Sequence, residues 1–185
     1  MRSEVSFLKS LSVRNAAYAA LGAALLAVCS WISIPLTIPI TLQTFAVCLI
    51  SAILGLPLAI WSILVWILLG AVGAPVFSGF RAGLGVLLGT TGGYIIGFFF
   101  TALIVGLAVR RFGRSRVALA ISMALGILVC YAFGTVWFMI VYARSTGPIG
   151  LISALSWCVF PYLLPDAVKI VLAVPLSIRL AKAIR

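Results

Sequence analysis

The sequence predicts an all-α, polytopic membrane protein of six transmembrane helices with both termini in the cytoplasm. Composition is the first reason: 65% of the 185 residues are hydrophobic and only 8% are charged, where a soluble domain carries about 25%. Mean hydropathy is +1.34. The second reason is a succession of apolar runs separated by glycine- and proline-bearing breaks. The third is that the basic residues cluster between those runs. A single integral membrane domain over 1–185 accounts for the chain and leaves no water-facing surface large enough for another.

A bilayer core about 30 Å thick needs about 20 apolar residues per helix at roughly 1.5 Å of rise each. The first span falls at 14–33. It follows Arg2, Lys9 and Arg14, as the apolar part of a signal peptide would, and Leu26-Ala27-Val28-Cys29 resembles a lipoprotein cleavage box. Val28 is too large for the position before the cysteine, and the apolar run continues through Trp31 and Ile32, so a retained span is expected. Spans at 41–55 and 57–74 are short, with only Gly55-Leu56-Pro57 between them. Gly73, Pro75 and Gly79 precede a span at 86–110, Gly113 a span at 117–142, and Pro161 and Pro165 mark the start of the last at 162–183. Residues 149–160 are apolar but too short to cross, so a re-entrant or interfacial helix is expected there.

The net charge of +11 raises the question of nucleic acid, but short basic clusters between apolar runs indicate topology instead. With the N-terminus inside, six spans place Arg2, Lys9, Arg14, Arg110, Arg111, Arg114, Arg116, Arg179, Lys182 and Arg185 on the cytoplasmic side, ten of the thirteen basic residues. Arg81 and Arg144 are left outside and Lys169 within the membrane. Removing one span spoils this division. The same layout brings Pro35–Thr44, Val76–Gly85, Arg144–Phe160 and the Asp166/Lys169 end of the last helix to the outer face.

Asp166 and Lys169 are the one acid–base pair inside this apolar chain; the other acid, Glu4, lies in the charged N-terminal tail. An ionisable residue in a span costs from a few to ~10 kcal/mol or more, so such residues face a bundle interior, pair, and mark a ligand or ion path. At i, i+3 both side chains project from one helical face. The plainer alternative is an ion pair that locks two helices together and touches no ligand.

Three further segments stand out. Gly79 to Gly97 holds Gly79, Gly83, Gly85, Gly89, Gly92, Gly93 and Gly97, with the hydroxyls of Thr90, Thr91 and Tyr94 among them. Glycines let backbones approach closely or leave amides free for a ligand; without a following lysine, and entering a span, this is no P-loop. Thr37-Ile-Pro39-Ile-Thr41-Leu-Gln43-Thr44 is a polar knot at the outer start of the second helix, where Gln43 meets either a ligand or a neighbouring backbone. Phe77, Tyr94, Tyr131, Trp137 and Tyr162 can stack on a flat ring or form interfacial belts. Helix one carries two small-residue ladders, Ala16/Ala20/Ala24 and Ala19/Ala23/Ala27, a smooth strip for another helix. Its partner is either internal or an external subunit.

Other function classes find little material. There is no histidine, no nucleotide-binding motif and no constellation of acids for general acid–base chemistry, so no enzyme is expected. Cys29, Cys48, Cys130 and Cys158 lie in or beside apolar runs without CxxC pairing and read as small core residues rather than metal ligands or disulfides. One buried acid is thin for a proton- or sodium-coupled carrier. A small protein with an outward polar pocket and no energy module suggests a substrate-capturing subunit. The rivals are a self-sufficient carrier or channel for a small organic anion, with Arg81, Arg144 and Lys169 as its cationic path, and a structural membrane scaffold.

Four segments resemble the BioY family in order and spacing over about residues 14–183: Pro39-Ile-Thr-Leu-Gln-Thr-Phe-Ala46, Gly70-Ala-Val-Gly-Ala-Pro-Val-Phe77, Gly89-Thr-Thr-Gly-Gly-Tyr-Ile-Ile-Gly-Phe98 and Leu164-Pro-Asp-Ala-Val-Lys169. Thr90 stands where the family commonly has proline, a change that bears on the local helix start. The resemblance implies a biotin-specific S component of an energy-coupling factor transporter: a six-helix protein of a prokaryotic plasma membrane that binds biotin from outside. Such proteins work with a transmembrane coupling subunit and two cytoplasmic ATPases, and some members are reported to operate alone. Biotin is then the transported ligand, and no cofactor or metal is expected. In related S components an alanine-rich strip on helix one docks on the coupling subunit, a pattern that the two ladders match. The ureido ring of biotin offers two N–H donors and a carbonyl acceptor. Asp166 is expected to accept from the nitrogens, with Lys169 assisting that polar end or neutralising Asp166. Phe77 and Tyr94 supply an apolar trough, Arg81 or the glycine-rich turn meets the carboxylate, and Gln43 and Thr91 complete the expected lining.

Overall fold

Apolar runs fold as helices because a backbone out of reach of water must bond to itself, and the breaks fall where glycine or proline stops that pattern. The computed structural model describes residues 13–183. Arg2, Glu4, Lys9 and Arg185, which enter the charge argument, lie outside the described residues. Helix α1 is Val13–Trp31. A two-stranded antiparallel hairpin follows, β1 Ser33–Ile34 against β2 Ile40–Thr41, with Ser33 opposite Thr41. Helices α2, Gln43–Leu54, and α3, Leu56–Ala71, meet at Gly55, whose φ of +80° suits glycine. After a 3₁₀ turn at Ser78–Phe80 come α4, Leu84–Leu88, and α5, Gly92–Phe112. Helix α6, Arg116–Ser145, starts on a Ser115 cap that accepts from the Ala118 amide. Helix α7 is Leu151–Cys158 and α8 is Phe160–Ala183.

Among the described residues, four stretches are long and apolar enough to cross a membrane: Val13–Trp31, Gly92–Phe112, Arg116–Ser145 and the α7–α8 run Leu151–Ala183. Helices α2 and α3 are apolar but shorter, at 12 and 16 residues. A short helix forms within 149–160, as α7.

The helical fold holds with one addition: the short hairpin after α1 holds Pro35 and Pro39 in its loop, where proline is compatible with a turn. Two expectations need correction. The span expected at 86–110 is broken. The chain folds back between α4 and α5 so closely that a Cβ on Gly92 would lie 1.7 Å from the Leu87 carbonyl oxygen, and Trp137 Nε1 holds the Gly89 carbonyl at 2.9 Å. The last helix starts at Phe160, so Pro165 lies inside it.

The two alanine ladders of α1 part company. Ala19, Ala23 and Ala27 are 4%, 3% and 7% exposed. They face inward with Gly22, where a Cβ would meet Ser62 Oγ of α3 at 2.2 Å. They are therefore closed to any external partner, because α1 already lies on α3. Ala16, Ala20 and Ala24 are exposed.

Helices α5 and α6 pack at glycine distance. A Cβ on Gly93 would come 2.3 Å from Trp137 Cβ, one on Gly97 2.6 Å from Cys130 Sγ, and one on Gly134 2.3 Å from the Tyr94 ring. For Gly92, Gly93 and Gly97 the close-packing reading of the glycine-rich stretch is the right one.

Candidate functional site

Helix α8 turns one stripe inward: Tyr162, Asp166, Lys169, Ala173 and Ser177 are buried, at the three- and four-residue steps of a single helical face. Leu164, Val168, Val171 and Leu172 lie on the other side and are exposed, as lipid-facing residues are. Asp166 and Lys169 are 3% and 7% exposed and form the one ion pair among the described residues, Lys169 Nζ to Asp166 Oδ1 at 2.5 Å.

A buried ion pair survives only when its remaining hydrogen-bonding capacity is met. Two other helices meet it. Thr44, in the first turn of α2, donates from Oγ1 to Asp166 Oδ1 at 2.8 Å and accepts from Lys169 Nζ at 3.1 Å. Tyr131 of α6 donates its hydroxyl to Asp166 Oδ2. One carboxylate thereby ties α2, α6 and α8 together. Among the described residues, Oδ2 holds a single donor, and Lys169, with three protons, has two acceptors. One acceptor direction and one donor remain.

This cluster walls a cavity with about 670 Å³ of atom-free space, open mouth included. All seven residues selected from the sequence line it: Asp166 and Lys169 beside Gln43, Phe77, Arg81, Thr91 and Tyr94. Phe77 is fixed edge-on to Trp66, ring centroids 5.1 Å apart, above Gly70, where a Cβ would come within 2.1 Å of the ring. Tyr94 lies over Gly134, its hydroxyl 3.1 Å from Thr135 Oγ1. Gln43 Oε1 accepts from Thr41 Oγ1 at 2.9 Å, so the amide meets a side chain rather than a neighbouring backbone. Its amide nitrogen donates to no protein group among the described residues. Thr91 Oγ1 reaches the Val86 carbonyl at 3.4 Å. Arg81 is exposed, its Nε on the Ser78 carbonyl at 3.1 Å.

The β1–β2 hairpin contributes Ile38, Pro39 and Thr41 to the lining, and the Tyr162 hydroxyl donates to the Ile38 carbonyl. Arg144 does not line the cavity, so the cationic path of Arg81, Arg144 and Lys169 is not assembled. Trp137 is also absent from the lining.

Sequence reasoning placed Thr44 in a polar knot and Tyr131 among stacking aromatics, and missed both as donors to Asp166. They lie 122 and 35 residues from it, and no local spacing links them. Their hydroxyls at membrane depth were the only signal.

Apolar helices around an open-mouthed cavity with a buried ion pair in its wall define a multi-pass membrane protein with an internal pocket. The model of the BioY family matches residues 1–185, and the chain belongs to that family. It is 39% identical over 171 residues to the probable biotin transporter BioY of Pyrococcus horikoshii, covering 92% of this chain and 98% of that one. It is 37% identical over 160 residues to the biotin transporter BioY of Thermotoga maritima, covering 86% and 90%. Among solved structures, it is similar to the S component for biotin from an ECF-type ABC transporter, with a TM-score of 0.81 over 92% of each chain at 24% identity.

Proposed function

We propose that this chain is the biotin-binding S component of an energy-coupling factor importer in a prokaryotic plasma membrane. It captures biotin from outside and passes it inward with a coupling subunit and two ATPases. Biotin is cargo, not cofactor, and the chain catalyses no reaction of its own. The family and the relatives named as biotin transporters support the ligand. The observation that carries the reading is that the buried Asp166–Lys169 pair opens onto the cavity with one acceptor and one donor direction unoccupied. A cyclic urea presents the matching edge, an N–H beside a carbonyl. Phe77 and Tyr94 then border the thiophane ring and chain, and Gln43, Thr91 and Arg81 reach the more distant polar groups.

Six helices (α1, α2, α3, α5, α6 and α8) span, with both termini cytoplasmic. Chain direction supports this: α5 and α8 start beside the cavity and end at Arg110 and Arg111, and at Arg179 and Lys182. Positive residues favour the cytoplasmic side. The exposed Ala16/Ala20/Ala24 strip is the surface offered to the coupling subunit.

Calorimetric titration of the purified chain in detergent tests the reading. Saturable uptake of one biotin per chain, with no response to riboflavin or thiamine, is expected. Absence of saturation with biotin rejects it.

A further inference from the structure

We propose that the lipid-facing groove between α5 and α6 is a binding site for an anionic phospholipid, an acyl chain lying in the groove and its phosphate on Arg111 and Arg116. The groove encloses about 950 Å³ of atom-free space, open side included. Ile104, Ala108 and Phe112 form one wall and Ala118, Ile121 and Leu125 the other. From Ile104 to Phe112 is about 12 Å along the helix at ~1.5 Å per residue, close to the ~15 Å depth of one leaflet of a ~30 Å core. Its two hydroxyls are occupied: Ser115 Oγ accepts from the Ala118 amide at 3.2 Å, and Ser122 Oγ donates to the Leu119 carbonyl at 3.1 Å. Both hydroxyls are thus engaged locally, and the remaining lining residues are all apolar, so the trough suits a hydrocarbon chain.

The end at the α5–α6 turn is cationic. Arg111 lies three residues beyond Ala108, on the same face of α5, and Arg116 is the first residue of α6. Both are exposed, with no ion-pair partner among the described residues. The one described acid, Asp166, is buried in the cavity wall. Arginine forks match phosphate oxygens in pairs. A cationic headgroup site over a trough of leaflet depth complements an anionic lipid, and a free phosphate leaves the trough empty.

Native mass spectrometry of the purified full chain, given phosphatidylglycerol and phosphatidylcholine of identical acyl chains, tests this. Phosphatidylglycerol is expected to be retained about 30-fold in excess, from roughly fivefold per arginine near a membrane surface. Arg111→Gln/Arg116→Gln abolishes that excess at an unchanged melting temperature, and in the wild type rising ammonium acetate erodes it. Glycerophosphate, which has the headgroup chemistry without chains, does not displace the lipid. Equal retention of the two lipids overturns the proposal, as does a preference that survives both the double variant and salt. Displacement by glycerophosphate also overturns it, in favour of a phosphate site without a lipid. A groove reserved for a protein subunit gives no preference in the isolated chain and counts against it equally.

Discussion

The two ends of this bundle carry charge by opposite means. At the cavity end, Asp166 and Lys169 are buried and each is bonded to groups from other helices. At the α5–α6 turn, Arg110, Arg111 and Arg116 are exposed. Arg114 is the exception there: it lays its Nε and Nη2 on the Ala52 and Ile53 carbonyls at 2.8 and 3.0 Å, closing the C-terminus of α2. A charge kept in water constrains nothing. A charge taken out of it requires a whole neighbourhood, and that neighbourhood becomes a shaped polar wall. Substitutions at the cavity end therefore act on stability and ligand binding together, while those at Arg110, Arg111 and Arg116 leave both the fold and the cavity unchanged.

The largest effect is expected for Lys169→Ala, which strands the carboxylate. Removing one partner of a buried pair costs about 3–5 kcal/mol, read as a lowered melting temperature in detergent. Asp166→Ala/Lys169→Ala regains most of that stability but not the ligand. If Lys169→Ala melts like the wild type, the pair is not desolvated as described.

Tyr131→Phe removes one hydrogen bond to a charged group, an effect of about 1.5–3 kcal/mol. A weakened affinity for biotin at a nearly unchanged overall fold, by circular dichroism, is the expected result. The smallest effects divide along α1. Ala23→Leu overpacks a buried contact at about 1–3 kcal/mol, whereas Ala20→Leu, on the exposed strip, stays within ~0.5 kcal/mol and spares biotin binding. Should both cost the same, the two faces of α1 are wrongly assigned.

The same comparison explains what the sequence could disclose. The apolar runs, most of their glycine and proline breaks and the i, i+3 ion pair are local features that survive near their expected positions, whereas Pro165, expected as a break, lies inside α8. Fold-back between α4 and α5 is less legible, because Gly92 reads equally as packing or as a ligand loop until Leu87 is seen against it. The alanine ladders were legible as a strip but not as two faces. Alanine is small enough for either environment, and the discriminating neighbours were Leu21 and Val28 outside and Gly22 and Ser30 inside. The donors to Asp166 were least legible, since Thr44 and Tyr131 reach it only through the packing of α2 and α6 against α8.

Asp166→Asn tests the central claim most directly. The amide keeps the side chain's shape while the charge that holds Lys169, Thr44 and Tyr131 in place is lost. With a charged hydrogen bond contributing about 1.5–3 kcal/mol, biotin affinity is expected to fall by about 10- to 150-fold in a variant that still folds. Wild-type affinity in a folded Asp166→Asn protein would show that the pair only ties helices together and that biotin binds without it.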